Sequence, residues 1–468
     1  MYEHCLPDRR LAARADALQR AVTQEQSTCV LRLAHDRAEQ VGFYRFLGNA
    51  RVTEERLIKG LCAHASTGMA LLPRDVHLLA IQDTSQMNLE SHAGRRKSDS
   101  GLGVIGDDQS AGFFLHPTLL VTAAQGHAIG FSDVKLWSRA ADRPRKKERN
   151  YKRLPLEEKE SLRWVESLTH SRSHLGPEVH LTGVADSESD AYPLFARVAD
   201  LPRTGLIVRV CRDRKVVGTS QSLYTHLAAQ PALGREEIEL RGDVRKRRKG
   251  RRALLELRVV EVSLPRPRNW PEEAPQSGTL WAVEARELPQ SVPAGEKPIH
   301  WRLLTTHRVE SLAQAQQIIA WYRQRWHIEQ IFRLLKCDGL DLEDSELESG
   351  HALRRLAVLA LGAALDVLRL LLAERGEDDQ PIEQVFTPVQ QQCLAAVAPR
   401  MEGRTRAQQN PHPPRTLAWA AWVIARLGGW SGYRSQRAAG PITYRRGILR
   451  FSQMCEGFAL AAPDLCTP

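Results

Sequence analysis

Apolar and polar positions follow three successive regimes along this chain. Up to about residue 70 they recur at helical spacing. Residues 9–24 and 53–65 are rich in Ala, Leu, Arg and Glu and lack β-branched runs, so both are expected as helices. From residue 76 short apolar runs take over. Strands are predicted over 76–81, 113–122, 129–137, 179–185 and 206–211, the second and third joined as a hairpin by a turn at Gln125-Gly126. A polar helix is expected over 155–169 and another over 187–198. Residues 213–300 break this rhythm with strand-like runs at 253–262 and 279–285, many prolines and the tract RGDVRKRRKGRR at 241–252, which predicts a β-rich insertion with a basic loop. Residues 301–306 form one more strand and a long helix follows from about 311 to 336. Helices then dominate, over 350–375, 382–399, 414–428 and 446–460. The pattern divides the chain into a helical segment 1–70, an α/β core 71–345 and a helical segment 346–468.

Composition adds a partner class. With 468 residues there is room for two or three domains, and a net charge of +11 favours an anionic partner, nucleic acid first and an anionic membrane second. Eight cysteines are scattered without a CxxC pair, which argues against a zinc ribbon and for reduced thiols in a cytoplasm. The first residues, MYEHCLPDRR, contain no apolar signal core. The most apolar stretch, 356–372, is interrupted by Asp366 and Arg369 and reads as a buried helix, with no membrane partner expected.

The long helix over 311–336 carries the most informative pattern. Tyr322, Arg325, Glu329 and Lys336 fit Y-x2-R-x3-E-x6-K. At about 100° per residue, Arg325, Glu329 and Lys336 fall at roughly 300°, 340° and 320° from Tyr322, in one stripe about 60° wide. Ile328, Ile331, Leu335 and Trp321 supply an apolar face beside it. A carboxylate among three phosphate-binding side chains points to metal-assisted chemistry on a polyanion. A solvated face with an Arg325–Glu329 pair at i,i+4 is the plainer alternative.

Two more carboxylates stand where elements change. Asp83 ends one apolar strand and Asp186 another, and strand ends are poor places for core packing and good places for a site. With Glu329 they form a set of hard oxygen donors suited to two Mg²⁺ or Mn²⁺ ions. Such a pair, about 4 Å apart, stabilises the attacking and leaving oxygens of a phosphoryl displacement. Taken singly, Asp83 and Asp186 are also ordinary turn or cap residues. In the basic tract eight of twelve residues are Lys or Arg, opposed only by Asp243, so Arg245, Lys246, Arg247 and Arg248 are candidate phosphate contacts, though a solvated loop is the usual fate of such a run.

These residues resemble the DDE transposases of the bacterial insertion-sequence group marked by a Tyr-Arg-Glu-Lys motif, which includes the transposase of the kanamycin-resistance composite transposon. LLAIQDTS at 78–85 is similar to that family's first-aspartate strand, and VADSESDAY at 184–192 to its second-aspartate segment. The block WRLLTTHRVESLAQAQQIIAWYRQRWHIEQIFRLLK at 301–336 resembles the segment holding its glutamate. GFYRFLGNARVTEE at 42–55 and LAWAAWVIARLGGW at 417–430 are similar to its terminal regions, so the likeness spans nearly the whole chain.

The resemblance implies an α/β, RNase H-like mixed sheet core interrupted by the β-rich insertion and flanked by helical N- and C-terminal domains. It implies cut-and-paste transposition through Mg²⁺-dependent nicking at element ends, 3′-hydroxyl attack, a hairpin intermediate, its opening and strand transfer. Asp83, Asp186 and Glu329 would be the catalytic metal ligands. Tyr322, Arg325 and Lys336 would hold a DNA phosphate. Trp301 would stack on a flipped base, against the plain alternative of a core tryptophan. Arg209 matches a strand arginine near the site. The partners implied are double-stranded transposon ends and target DNA, bound by a synaptic homodimer.

One departure stands out. Family members usually carry a further stretch ahead of the segment seen here as Pro7-Asp8-Arg9-Arg10, and this chain begins six residues before it. That implies a chain shortened or misassigned at its start, or weak in recognising its own ends. Two other functions stay open: a DNA-binding inhibitor or inactive relative, and a general metal-dependent nuclease.

Overall fold

The computed structural model describes residues 1–91, 101–142, 156–240, 242, 250–267, 277–337, 339–376, 380–433 and 437–461. The expected charged loop at 143–153 and most of the basic tract, including Arg245, Lys246, Arg247 and Arg248, lie outside the described residues.

The chain opens with helices α1 (Arg9–Glu25), α2 (Val30–Leu33), α3 (Arg37–Gly48) and α4 (Glu54–Met69). Asp8, Asp36 and Thr53 cap α1, α3 and α4, each side chain accepting a backbone N–H of the first turn. Strands β1 (His77–Gln82), β2 (Ser85–Asn88), β3 (Gly103–Val104), β4 (Ala111–Thr122) and β5 (Ala128–Trp137) follow. The β4–β5 turn holds Gly126 at φ 81°, a left-handed conformation that explains the glycine there. Next come α5 (Leu162–His174), β6 (His180–Ala185), α6 (Tyr192–Val198), β7 (Thr204–Arg209) and α7 (Leu223–Ala228). Strands β8 (Gly234–Leu240), β9 (Arg251–Pro265), β10 (Ser277–Glu287) and β11 (His300–Thr305) lead into α8 (Leu312–Arg323) and α9 (Trp326–Lys336). The chain closes with α10 (Gly350–Ala373), α11 (Pro388–Met401), α12 (Leu417–Leu427) and α13 (Pro441–Ala461).

All the described strands join one mixed sheet in the order β2-β4-β1-β6-β7-β11-β10-β9-β8, with β3 and β5 also paired to β4. β1, β6 and β7 are parallel, β4 runs antiparallel beside β1, and β5 pairs antiparallel with β4. Proline suits β4 at position 117. On one side β4 pairs with β2 through residues 112–115 and with β1 through 118–122, so Pro117 falls where the strand changes partner and a missing N–H is tolerated. The strands of the expected insertion extend the same sheet antiparallel from β11.

Strand side chains alternate between two helical layers. Leu79, Ile81, Val184 and Leu303 face a core shared with α1, α8, α9 and α10, and Leu78, Ala80, Leu181 and Leu304 face one built with α5, α6 and α7. Helix α10 is apolar enough and long enough to cross a membrane, with mean hydropathy 2.2, yet 89% of that stretch is buried inside the protein. Arg369 on α10 is buried too. It donates to the carbonyls of Ala128 at 3.1 Å, Ile129 at 2.5 Å and Gln384 at 3.1 Å, and so ties α10 to β5.

Three expected helices change form. The helix over 187–198 is a short 3₁₀ turn, Ser187–Ser189, followed by α6, because Asp186 caps the turn and Pro193 opens the next helix. The helix expected over 155–169 begins later, as α5. The single helix over 311–336 is two. Gln324 and Arg325 form a turn whose N–H groups bond three residues back, to Trp321 and Tyr322, and Ile328 N–H likewise bonds to Arg325. That tightening advances the backbone faster than an α-helix and separates α8 from α9 at Gln324-Arg325.

Arg369→Met is expected to destabilise the protein by about 3–5 kcal/mol, because Asp366 would lose its buried partner and three carbonyls their donors. Urea unfolding would check this, and a change below about 1 kcal/mol would reject the tie as structural.

Candidate active site

The parallel register places two of the three carboxylates. Leu79 lies opposite Thr182 and Ile81 opposite Val184. Asp83 and Asp186 each follow that last pair by two residues, so they leave neighbouring strands side by side at one edge of the sheet. Adjacent strands are about 4.8 Å apart. Each aspartate also serves its own turn: Asp83 accepts the Thr84 N–H at 2.8 Å and Asp186 the Glu188 N–H at 2.9 Å. The cap role and the site position therefore coexist.

Glu329 comes from the first turn of α9, whose Ile328, Ile331 and Leu335 are fully buried. Arg325 joins this helix to the sheet edge. Its guanidinium donates to Asp83 Oδ2 at 2.9 Å and, through its other terminal nitrogen, to Glu329 Oε1. The Asp83 carboxyl is pushed up from 3.8 to about 7, chiefly by burial and then by the Asp186 charge, with Glu329 adding to it and Arg325 and the Thr84 N–H opposing it. The three carboxylates thus share one electrostatic neighbourhood.

Arg325 also meets the Tyr322 side chain, so Tyr322, Arg325 and Glu329 stay together across the break between α8 and α9. Tyr322 is buried in the core, on α8, where its ring meets Trp301 edge-on at 5.9 Å. Burial raises its hydroxyl pKa, opposed by Arg325 and Arg209. Arg209 is exposed at the end of β7. Lys336 pairs with Glu343 at 3.3 Å and donates to the Gln86 carbonyl, which ties the end of α9 to β2. Trp301 is half-buried on β11, beside a buried Glu284 that binds His300 at 2.7 Å and Arg302 at 3.0 Å.

Four residues of the surroundings escaped the sequence reading. Trp326, next to Arg325, is 57% exposed and was visible only as one more aromatic in the motif. His116, Arg163 and Glu188 lie around the two aspartate turns, joined by contacts that sequence spacing does not reveal.

The model for the transposase DDE domain matches residues 123–365, just over half of the chain. This chain belongs to the DDE transposase domain family. The match includes Asp186 and Glu329 and starts beyond Asp83. It supports transposase-type activity at the level of the family, whose members generally use divalent metal ions. Among the described residues, no three His, Cys, Asp or Glu side chains are disposed to hold one ion as they stand. The donor set is nonetheless the right kind, all hard carboxylate oxygens, with a negative field at Asp83 that a cation would relieve.

Asp83 makes a testable cost. Its folded pKa lies above the unfolded value, so the stabilisation it provides is whole below about pH 4 and lost as pH rises through about 7. Asp83→Asn is therefore expected to raise stability at pH 8 by up to about 4 kcal/mol, at roughly 1.4 kcal/mol per pKa unit, and to add nothing at pH 4. Denaturant titrations at the two pH values decide it, and an equal effect at both would refute it.

Proposed function

We propose that this chain is a cut-and-paste transposase of the Tyr-Arg-Glu-Lys insertion-sequence group, acting on double-stranded element ends and target DNA. The observation that carries the reading is the parallel β1–β6 register, which leaves Asp83 and Asp186 side by side at one sheet edge, with the Glu329 charge near enough to act on Asp83. The strand arrangement β5-β4-β1-β6-β7, two antiparallel strands beside three parallel ones, supports an RNase H-like core.

Asp83, Asp186 and Glu329 would hold Mg²⁺ or Mn²⁺. Two such ions, when bound, stabilise the attacking and leaving oxygens of phosphoryl displacement. Arg325 has the reach and the charge to bind a DNA phosphate beside these carboxylates, and Lys336 extends the basic line along α9. Tyr322 is better placed to support Arg325 and Trp301 from beneath than to meet DNA openly. Trp301, half-buried on its strand, offers an edge for a displaced base. Arg209, near enough to act on Tyr322, and basic residues farther out would guide the backbone. The reading entails a synaptic homodimer working on DNA in a bacterial cytoplasm.

The deciding experiment incubates the protein with supercoiled plasmid carrying the element between its own ends, plus Mg²⁺. Excised linear element with hairpin ends is expected. Random nicking would identify a general nuclease instead, and retardation without cleavage an inhibitor or inactive relative. Glu329→Gln is expected to abolish cleavage and keep end binding; normal cleavage by that variant would remove Glu329 from the site. Arg325→Ala should slow hairpin formation more than first nicking, and equal loss at every step would count against a phosphate-positioning role.

A further inference from the structure

Arg163, on the first turn of α5, distributes its guanidinium over three pieces of chain. Its Nε donates to Thr84 Oγ1 at 3.0 Å, one terminal nitrogen to the Glu160 carbonyl at 2.8 Å and the other to Glu188 Oε2 at 2.9 Å. Thr84 follows Asp83, and Glu188 lies two residues after Asp186. The guanidinium packs near Trp164 and Trp137, its carbon 5.0 and 5.4 Å from their ring centroids, and the side chain is only 12% exposed.

The hydrogen bonds around Thr84 form one line. His116 is fully buried. Its Nδ1 lies 2.9 Å from the Thr84 hydroxyl and its Nε2 3.3 Å from Gln82 Oε1. Contacts therefore run from Arg163 through Thr84 and His116 to Gln82. Both chain neighbours of Asp83 are thereby held. On the other side Glu188 is held twice, by its side chain on Arg163 and by its N–H on Asp186.

We infer that Arg163 is a positioning residue for strand cleavage, fixing the separation of Asp83 and Asp186 by gripping Thr84 and Glu188 at once. The planar fork suits the task, because three donors in fixed directions constrain two turns relative to α5. Lysine carries the charge without that geometry. The role rests on the transposase reading for its consequence and on the hydrogen bonds alone for its mechanics.

Two measurements on the full chain separate these. In first-strand nicking of a preassembled complex with a duplex of the element's own terminal sequence, Arg163→Gln is expected to slow the step about tenfold to a hundredfold. End affinity should stay within about twofold, since no phosphate contact is removed, and Arg163→Lys should recover only part of the rate. In native-state amide exchange without DNA, Arg163→Gln should speed exchange at 83–88 and 186–191 together and leave α10 unchanged. Glu188→Gln, a change at an exposed side chain, should loosen 186–191 and slow nicking less than Arg163→Gln, with the double variant no slower than Arg163→Gln alone. Nicking of Arg163→Gln within about twofold of the unaltered chain, or exchange that rises in α5 alone or throughout the protein, would overturn the proposal. If the unaltered chain does not cut element ends, the transposase reading fails, and amide exchange still decides whether Arg163 couples the two turns.

Discussion

Parallel pairing of β1 with β6 is the constraint on which the site depends. The register sets two carboxylates side by side where the backbone leaves the sheet, and neither aspartate needs a special conformation to get there. A slip of one residue would turn Asp186 to the opposite face of the sheet from Asp83. The register is in turn held by alternating side chains, because Leu79 and Ile81 must enter one core while Leu78 and Ala80 enter the other. Core packing on both faces thus aims the chemistry at the edge.

Charge opposes what packing imposes. Bringing carboxylates together under partial burial is unfavourable, as the raised Asp83 pKa records. Arg325 offsets part of this by touching Asp83 and Glu329 together. The same guanidinium links α9 to the sheet, so the residue that relieves the carboxylates also locates the third of them. A site arranged this way trades stability for a field that favours cations, the usual relation between function and local strain in energy.

Much of the fold was legible because apolar runs of strand length are bounded by turn residues. The hairpin at Gln125-Gly126 and the strands ending at Asp83 and Asp186 follow from that pattern. Strand β8 was not legible: GREEIEL buries only Ile238, so it lacks an apolar signal and exists by pairing with β9. The break between α8 and α9 was equally hidden. Gln324 and Arg325 are good helix formers, and both keep right-handed dihedrals, so no local residue announces the turn. The burial of Tyr322 against Trp301 was hidden as well, since Trp301 comes from a strand 21 residues earlier. Arg163 was invisible for another reason, since its partners Thr84 and Glu188 are 79 and 25 residues away.

The charges of β8 have a further result. A sheet this wide ends in an open row of backbone donors and acceptors, which a strand of another molecule can extend. Here the terminal strand carries Arg235, Glu236, Glu237 and Glu239, and Arg252 of β9 pairs with Glu237 and Glu239 across the surface. An incoming copy would have to set glutamates against glutamates and strip water from them. Extending the sheet at β8 with a second copy would therefore carry a cost in charge and desolvation.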